Sequence, residues 1–337
     1  MKGEKEPLIP NFTRRKSKKT RKPVLVIHGG AGIFDKSKST PEQRGMYKSA
    51  LRAALLAGHK ILSAGGSAMD AAVAAVTCME DCPLFNCAKG AVFNVAGKNE
   101  LEASIMLSCP PSTHPYIPTT RRGFSATLLT QTRNPSHLVQ QLYLRPDLAP
   151  HAFLSGSTAE VELGHQKLGL ELVDPSYFYT EQRWREHRRG LGLPEEPFPR
   201  GYPEGMHKQE SKLNDSPLPP LDMMPTGTVG AVALDVDGCI AAVTSTGGKT
   251  NKLVGRIGDT PSMGSGFWAE EWNTSPQPLW VHRFLRRFNL YAKHQNRAVG
   301  VSGTGDGDYF IRQATCATLA TRMKLLGESV QDAADDV

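Results

Sequence analysis

Thr228 stands where two kinds of sequence meet. Residues 216–227, SPLPPLDMMPTG, are proline-rich and polar, whereas TVGAVALDVDG (228–238) reads as a β-strand running into a turn. A threonine hydroxyl is a nucleophile only with a general base beside it. A free α-amino group, with an ordinary pKa of about 7.7–8.0, can be that base. Breaking the Gly227–Thr228 bond would therefore put nucleophile and base on one residue. A mobile segment that ends where a strand starts can be cut without loss of the fold, and Gly227 supplies the backbone freedom an internal attack requires. Taken alone, the stretch reads more simply as a β-former opening a strand.

Other residue sets have bland readings of their own. Arg256 and Asp259, in GRIGD, stand three apart and could form a surface ion pair. Cys78, Cys82 and Cys87 cluster, but the spacing is not C-x-x-C, no His is near and Cys78 falls on an apolar helix, which argues against zinc. Six cysteines in 337 residues do not make a disulfide framework. GGAGIFD lacks the third glycine of a dinucleotide turn. His28 ends a buried strand and reads as a core histidine rather than a base.

The elements that must position these residues are largely legible. PVLVIHGGAG (23–32) is a buried strand entering a glycine turn. Apolar spacing predicts a helix over 42–66 that stops at a double glycine, and a small-residue helix over 67–80 capped by Ser67. Residues 91–107 read as a hairpin around Gly97, 108–122 as a proline-rich loop and 123–131 as a strand. A helix opened by Asn134-Pro135, a short strand at 151–156 and a helix capped by Ser157 follow. Residues 185–227 read as a mobile linker, and 228–248 as two strands around DVDG. Then come a glycine-rich region (251–266), a variable segment (268–297), a strand through AVGVSGTGDG and one helix over 307–327. A further helix starts in the last ten residues.

The bulk numbers admit one large domain or two smaller ones. The net charge of +7 traces to residues 1–22, which hold nine Lys/Arg against two acids, so the body is neutral. RRKSKKTRK within that segment is a nuclear-address or polyanion pattern, but it reads more simply as a disordered solubilising tail, and nucleic acid is not the expected partner. No apolar run reaches the roughly 18 residues of a membrane helix, and no secretory h-region is present, so a cytoplasmic location is expected, with the nucleus open through the basic tail.

Eight stretches together resemble the isoaspartyl peptidase / plant-type L-asparaginase family of N-terminal-nucleophile (Ntn) hydrolases: VLVIHGGAG, GGSAMDAAVAAV, EDCPLFNCAKGAVFN, ELEASIM, LVDPSYFYTEQRW, GTVGAVALDVDG, TSTGGKTNKLVGRIGDTP and GVSGTGDGDYFIR. They run in the family's order from residue 24 onward. The resemblance implies an α+β fold, a four-layer αββα sandwich cut into an α-chain (1–227) and a β-chain (228–337). Within it, 1–22 is a basic tail, 23–184 the α-chain part of the sandwich and 185–227 the linker. Thr228 would be the nucleophile, freed by self-cleavage after Gly227. Thr246 matches a second threonine that hydrogen-bonds near it, and Thr304 and Gly305 match the oxyanion-hole donors. Arg256 and Asp259 match the pair that binds the substrate's α-carboxylate and α-ammonium, which suits a guanidinium fork and a carboxylate. Asn86 matches an active-site wall residue, and Gly29 and Gly30 a glycine turn that supports cleavage. The backbone of Met79, Glu80, Cys82, Phe85, Cys87 and Lys89 matches a loop that binds sodium, and no organic cofactor is implied. The implied substrate is L-asparagine or a β-aspartyl dipeptide, and the implied assembly a homodimer of αβ units.

The sequence departs from the family's pattern at Ala88, where FNCAKG stands for FNAGxG; at ASIMLS, which leads into the 108–122 insertion; and at Val337, where the family continues with further strands. A truncated β-chain lacking its C-terminal strands is therefore an expectation. Two rivals follow: a threonine endopeptidase of the same family, against which the Arg256/Asp259 pair argues, and a truncated, inactive pseudo-hydrolase.

Overall fold

A computed structural model describes residues 21–31, 40–194, 227–274 and 295–337. The basic tail up to residue 20, most of the linker (195–226) and the core of the 268–297 segment (275–294) lie outside the described residues.

Two sheets form. The first has six strands in the order β1-β5-β6-β2-β3-β4: β1 (Val24–His28), β2 (Leu101–Leu107), β3 (Gly123–Leu129), β4 (Phe153–Ser155), β5 (Val229–Leu234) and β6 (Ile240–Thr246). Neighbours are antiparallel except β3 and β4. The second sheet is the antiparallel pair β7 (Phe267–Thr274) and β8 (Gln295–Ser302).

Helix α1 (Pro41–Ser63) opens on a reciprocal capping box between Thr40 and Gln43, and α2 (Ala68–Glu80) on Ser67, whose hydroxyl accepts from the Asp70 N–H. The small residues of α2 let it lie close to β5 and β6. Gly58 admits α1 equally closely, since a Cβ there would stand 2.5 Å from the Ala71 carbonyl oxygen. Helix α3 (Pro135–Leu144) packs on β2 and β3.

The β7–β8 sheet lies against β2, β5 and β6, with Phe267 and Ala269 on Met106 and Ala242. Gly300 allows the approach: a Cβ there would meet Ile240 at 2.5 Å and Val232 at 2.6 Å. Outside β7 and β8 sits α6 (Thr315–Leu325), preceded by α5 (Gly307–Gln313) and followed by α7 (Val330–Asp335). Helix α4 (Glu181–Gly190) precedes the undescribed segment and runs across the expected boundary at 184/185.

Four further expectations change. The 91–107 hairpin has no first strand: Asn94 N–H donates to the Lys98 carbonyl at 2.8 Å in a local turn, and β2 pairs instead with β3 and β6. The helix from Ser157 is a π-helix, Thr158–Lys167, without a side-chain cap from that serine. Residues 268–274 belong to β7. The helix from Gly307 breaks at Ala314, which takes a left-handed φ of 47° between α5 and α6.

Candidate active site

Hairpin β5–β6 sets the nucleophile's position. Its register pairs Val229 with Ser245, so one step further Thr228 lies opposite Thr246 at the hairpin's open end. Thr228 is 6% exposed, and its hydroxyl meets the Thr260 hydroxyl at 2.9 Å. The Thr246 hydroxyl oxygen accepts from the Gly248 N–H at 3.0 Å. The hydroxyl hydrogen-bonded to that of Thr228 is that of Thr260. It directly follows Asp259 in GDTP, and sequence reasoning passed over it. The Thr260 carbonyl in turn accepts from the Thr244 hydroxyl at 3.4 Å, and Thr244 is hydrogen-bonded to Ser104 on β2.

Gly227 is clamped. A Cβ there would lie 2.3 Å from the Ala31 nitrogen, 2.6 Å from Thr304 Oγ1 and 2.7 Å from the Ala31 oxygen. Gly30, at φ 104°, faces the same peptide: its Cβ would fall 2.6 Å from the Gly227 oxygen. Gly29 lies under the Phe85 ring, 2.8 Å from where its Cβ would be. The HGGA turn, the end of β8 and the 227–228 peptide thus converge, with the Ala31 N–H donating to Thr304 Oγ1 at 2.9 Å. Gly305 follows Thr304 over the Phe310 ring and is exposed.

His28 sits at the end of β1 with Nε2 2.7 Å from Ser302 Oγ. Burial lowers its pKa to about 4, against a smaller opposing effect of the Thr228 backbone, so the ring is neutral at pH 7.

Two glutamates of the ELE stretch hold the loop that carries Arg256. Glu100 accepts from the Gly255 N–H at 3.0 Å, and Glu102, fully buried, accepts from the Gly258 N–H at 2.9 Å. Burial raises the Glu102 pKa, with Lys252 the leading opposing charge. The structure corrects the pairing within GRIGD: Arg256 donates to Asp308 at 2.9 Å, not to Asp259. Asp308 belongs to an outer ion cluster in which Lys249 also bridges to Asp306 at 3.0 Å. Asp259 is 5% exposed, its Oδ2 has no hydrogen-bond partner among the described residues, and burial raises its pKa. Its Oδ1 fills the space a Gly307 side chain would need, 2.2 Å from a Cβ there. A buried acceptor oxygen left open beside a guanidinium suits a ligand with both an ammonium and a carboxylate.

Asn86, fully buried, ties the α2–β2 loop to TSTGG: its Nδ2 donates to the Gly248 carbonyl at 2.8 Å and its Oδ1 accepts from the Val92 N–H at 3.0 Å. Ala88, in the same loop, takes φ 38°, a left-handed geometry that costs a non-glycine residue about 1 kcal/mol. In loop 79–89 the Glu80 carbonyl accepts from the Lys89 N–H at 3.0 Å and the Met79 carbonyl from the Cys82 N–H at 3.1 Å. Cys87 is buried within it. The Pro83 and Phe85 oxygens face Gly90, at 2.5 and 2.7 Å from a Cβ there. No group of three or more His, Cys, Asp or Glu is placed to hold a metal among the described residues. No described helix is long and apolar enough to cross a membrane.

Comparison with known proteins agrees with the motifs. The chain is 33% identical to an isoaspartyl peptidase of Escherichia coli (strain K12) over 317 residues, covering 94% of this chain and 81% of that one. It is 29% identical to an isoaspartyl peptidase/L-asparaginase of Xenopus laevis over 315 residues, covering 93% and 80%. It is 34% identical to an isoaspartyl peptidase/L-asparaginase of Mus musculus over 247 residues, covering 73% and 64%. These matches lend the expected truncation no support. A family model described as Asparaginase matches residues 21–274 and 290–337, and the chain belongs to that family.

Proposed function

We propose that this chain is a self-cleaving threonine hydrolase that releases L-aspartate from L-asparagine or from β-aspartyl dipeptides. The observation that carries the reading is the placement of the 227–228 peptide, held between Gly30–Ala31 and Thr304, with the Thr228 hydroxyl against Thr260. In the precursor the Thr228 hydroxyl attacks the Gly227 carbonyl carbon, the peptide nitrogen leaves as the new α-amine, and water hydrolyses the resulting ester. The freed amine then takes the hydroxyl proton when Thr228 attacks a substrate amide. Ammonia or the peptide amine departs, and water releases aspartate. Thr304 and the Gly305 N–H serve the oxyanion. Asp259 takes the substrate ammonium, and Arg256 takes the α-carboxylate by exchanging it for Asp308.

The same reading carries a four-layer αββα sandwich and a homodimer of αβ units. It also gives loop 79–89 a sodium ion, which backbone oxygens of the loop such as that of Phe85 would hold, since carbonyl oxygens are donors that a hard cation accepts. Its part would be to fix the loop behind Asn86, outside the chemical steps.

Intact mass spectrometry of the purified chain beside Thr228→Ala tests the proposal. Two fragments, the smaller beginning at Thr228, with the variant whole, support it. A wild type that stays whole after long incubation overturns it and leaves an inactive pseudo-hydrolase. Turnover of a folded protein but not of β-aspartyl dipeptides by the cut form would instead favour the endopeptidase.

A further inference from the structure

Beyond their paired residues, β2 and β6 carry two cysteines. The register between them ends at Leu107 with Ala241. One step on, the Ser108 N–H donates to the Ile240 carbonyl at 2.8 Å, and the Ile240 N–H donates back to the Ser108 hydroxyl at 2.9 Å. Cys109 and Cys239 lie just beyond the two strand ends, and the same register continued one more step would bring them face to face. An antiparallel ladder alternates bonded and non-bonded pairs, so in that continued register 109/239 would take a non-bonded position, where facing Cα atoms stand about 4.5 Å apart. A disulfide spans Cα separations of roughly 4.4–6.8 Å.

The side chains follow the register. The Cys239 thiol points to the opposite strand and donates to the Cys109 carbonyl at 3.3 Å. Both cysteines are free, Cys239 buried and Cys109 half-buried, so the second is open to a small reagent. The neighbouring Cys239 thiol draws the Cys109 pKa down, while burial and the Glu271 and Asp235 carboxylates oppose it; its neighbour Cys109, with burial, pushes Cys239 up. The partially exposed cysteine is thus the attacking thiolate, and the buried one the resolving thiol.

We propose that Cys109 and Cys239 are a dithiol site that a low-molecular-weight disulfide oxidises to an interstrand disulfide. The Cys109 thiolate attacks one sulfur of the oxidant, breaking its S–S bond, forming a mixed disulfide and releasing one thiolate. The Cys239 sulfur then attacks Cys109 Sγ, giving up its proton, and the second small thiol leaves. The two cysteines lose two electrons and two protons, and the oxidant gains them as two thiols. Position 109 lies before the Gly227–Thr228 bond and position 239 after it. In a cut enzyme the disulfide would join α- and β-chains covalently. That consequence rests on the proposed cleavage, whereas the disulfide itself does not.

The experiment incubates the full chain with glutathione disulfide, denatures it, alkylates free thiols with iodoacetamide, and digests it without reductant for mass spectrometry. Four alkylated cysteines of the six are expected, with one linked peptide pair containing Cys109 and Cys239. The link is expected to vanish in Cys109→Ser and Cys239→Ser and to persist in Cys78→Ser. Six alkylated cysteines, glutathione retained on Cys109 with Cys239 alkylated, or a link between other cysteines would overturn the proposal. The wild-type digest reads the link whether or not the chain is cut. A gel without reductant reads the tether separately: cut protein runs as one band and splits in two once reduced.

Discussion

Replacing Thr260 by Val removes one hydroxyl and keeps the shape of the side chain. The lost contact is the 2.9 Å bond to the Thr228 hydroxyl, between residues 0% and 6% exposed, where water is a poor substitute. An ordinary hydrogen bond is worth about 0.5–1.5 kcal/mol net, and a buried group left short of a partner costs about 1–3 kcal/mol. Freed from Thr260, the Thr228 hydroxyl also samples other staggered rotamers instead of the one that bond holds. A loss of about 1–2 kcal/mol in the reactive arrangement slows cleavage about 5- to 30-fold. Precursor made by cell-free translation and chased at constant temperature, with fragments quantified on a denaturing gel, gives the rate. Thr260→Ser, which restores the hydroxyl, should recover it to within about twofold. A Thr260→Val rate equal to wild type, with native near-UV circular dichroism, would refute the assignment of Thr260 as the orienting residue. So would complete loss of cleavage in a folded protein, because one hydrogen bond is too small to cause it.

Gly227→Ala drives a methyl into the Ala31 backbone, 2.3 Å from its nitrogen, so the scissile peptide must leave its seat. Overpacking of this kind costs about 1–3 kcal/mol; cleavage should slow about 5- to 150-fold while circular dichroism stays native, and an unchanged time course would mean that the seat is irrelevant. Glu80 is fully buried, accepts from the Ser136 N–H and hydroxyl, and has its pKa raised by burial to about 7. Its raised folded pKa means that its contribution is present below the unfolded value of about 4.5 and is lost as pH rises through 7, by up to about 3 kcal/mol. Urea unfolding of an uncut Thr228→Ala background between pH 5 and 8 should therefore show falling stability that Glu80→Gln flattens; parallel pH profiles would dismiss the effect.

The parts of the chain legible in sequence are those whose causes are local. Ser67 caps α2 through the very bond its position suggested, and DVDG turns β5 into β6. Elements fixed by distant partners were not legible. Around Gly97 the backbone is captured by side chains: Asn94 Oδ1 accepts from the Ala96 and Lys98 N–H groups, and Asn99 Nδ2 donates to the Ala91 and Val92 carbonyls, so no ladder forms. Nothing in ATCA announces a helix break, yet the Cys316 and Ala317 N–H groups donate to Ser265 and Gly264, and the new helix starts there. Residues 267–274 acquire strand character from β8, more than twenty positions away. In the site, residue types were readable but their pairings were not. Arg256 turned out to face Asp308, and the hydroxyl beside Thr228 came from Thr260, because both contacts depend on how the 253–260 loop is pinned to Glu100 and Glu102.

The strand order β1-β5-β6-β2 has a consequence for the life of the molecule after a cut at residue 227. The β5–β6 hairpin would then be a separate polypeptide threaded between two strands of the other one, bonded along both its edges. Neither piece can complete the sheet alone, so assembly has to precede cutting. Before the cut, refolding is a first-order event within one chain; afterwards it is a second-order encounter between two, and recovery from heat depends on protein concentration. Such an enzyme would be a single-use folder, durable while assembled and unable to rebuild itself when dilute.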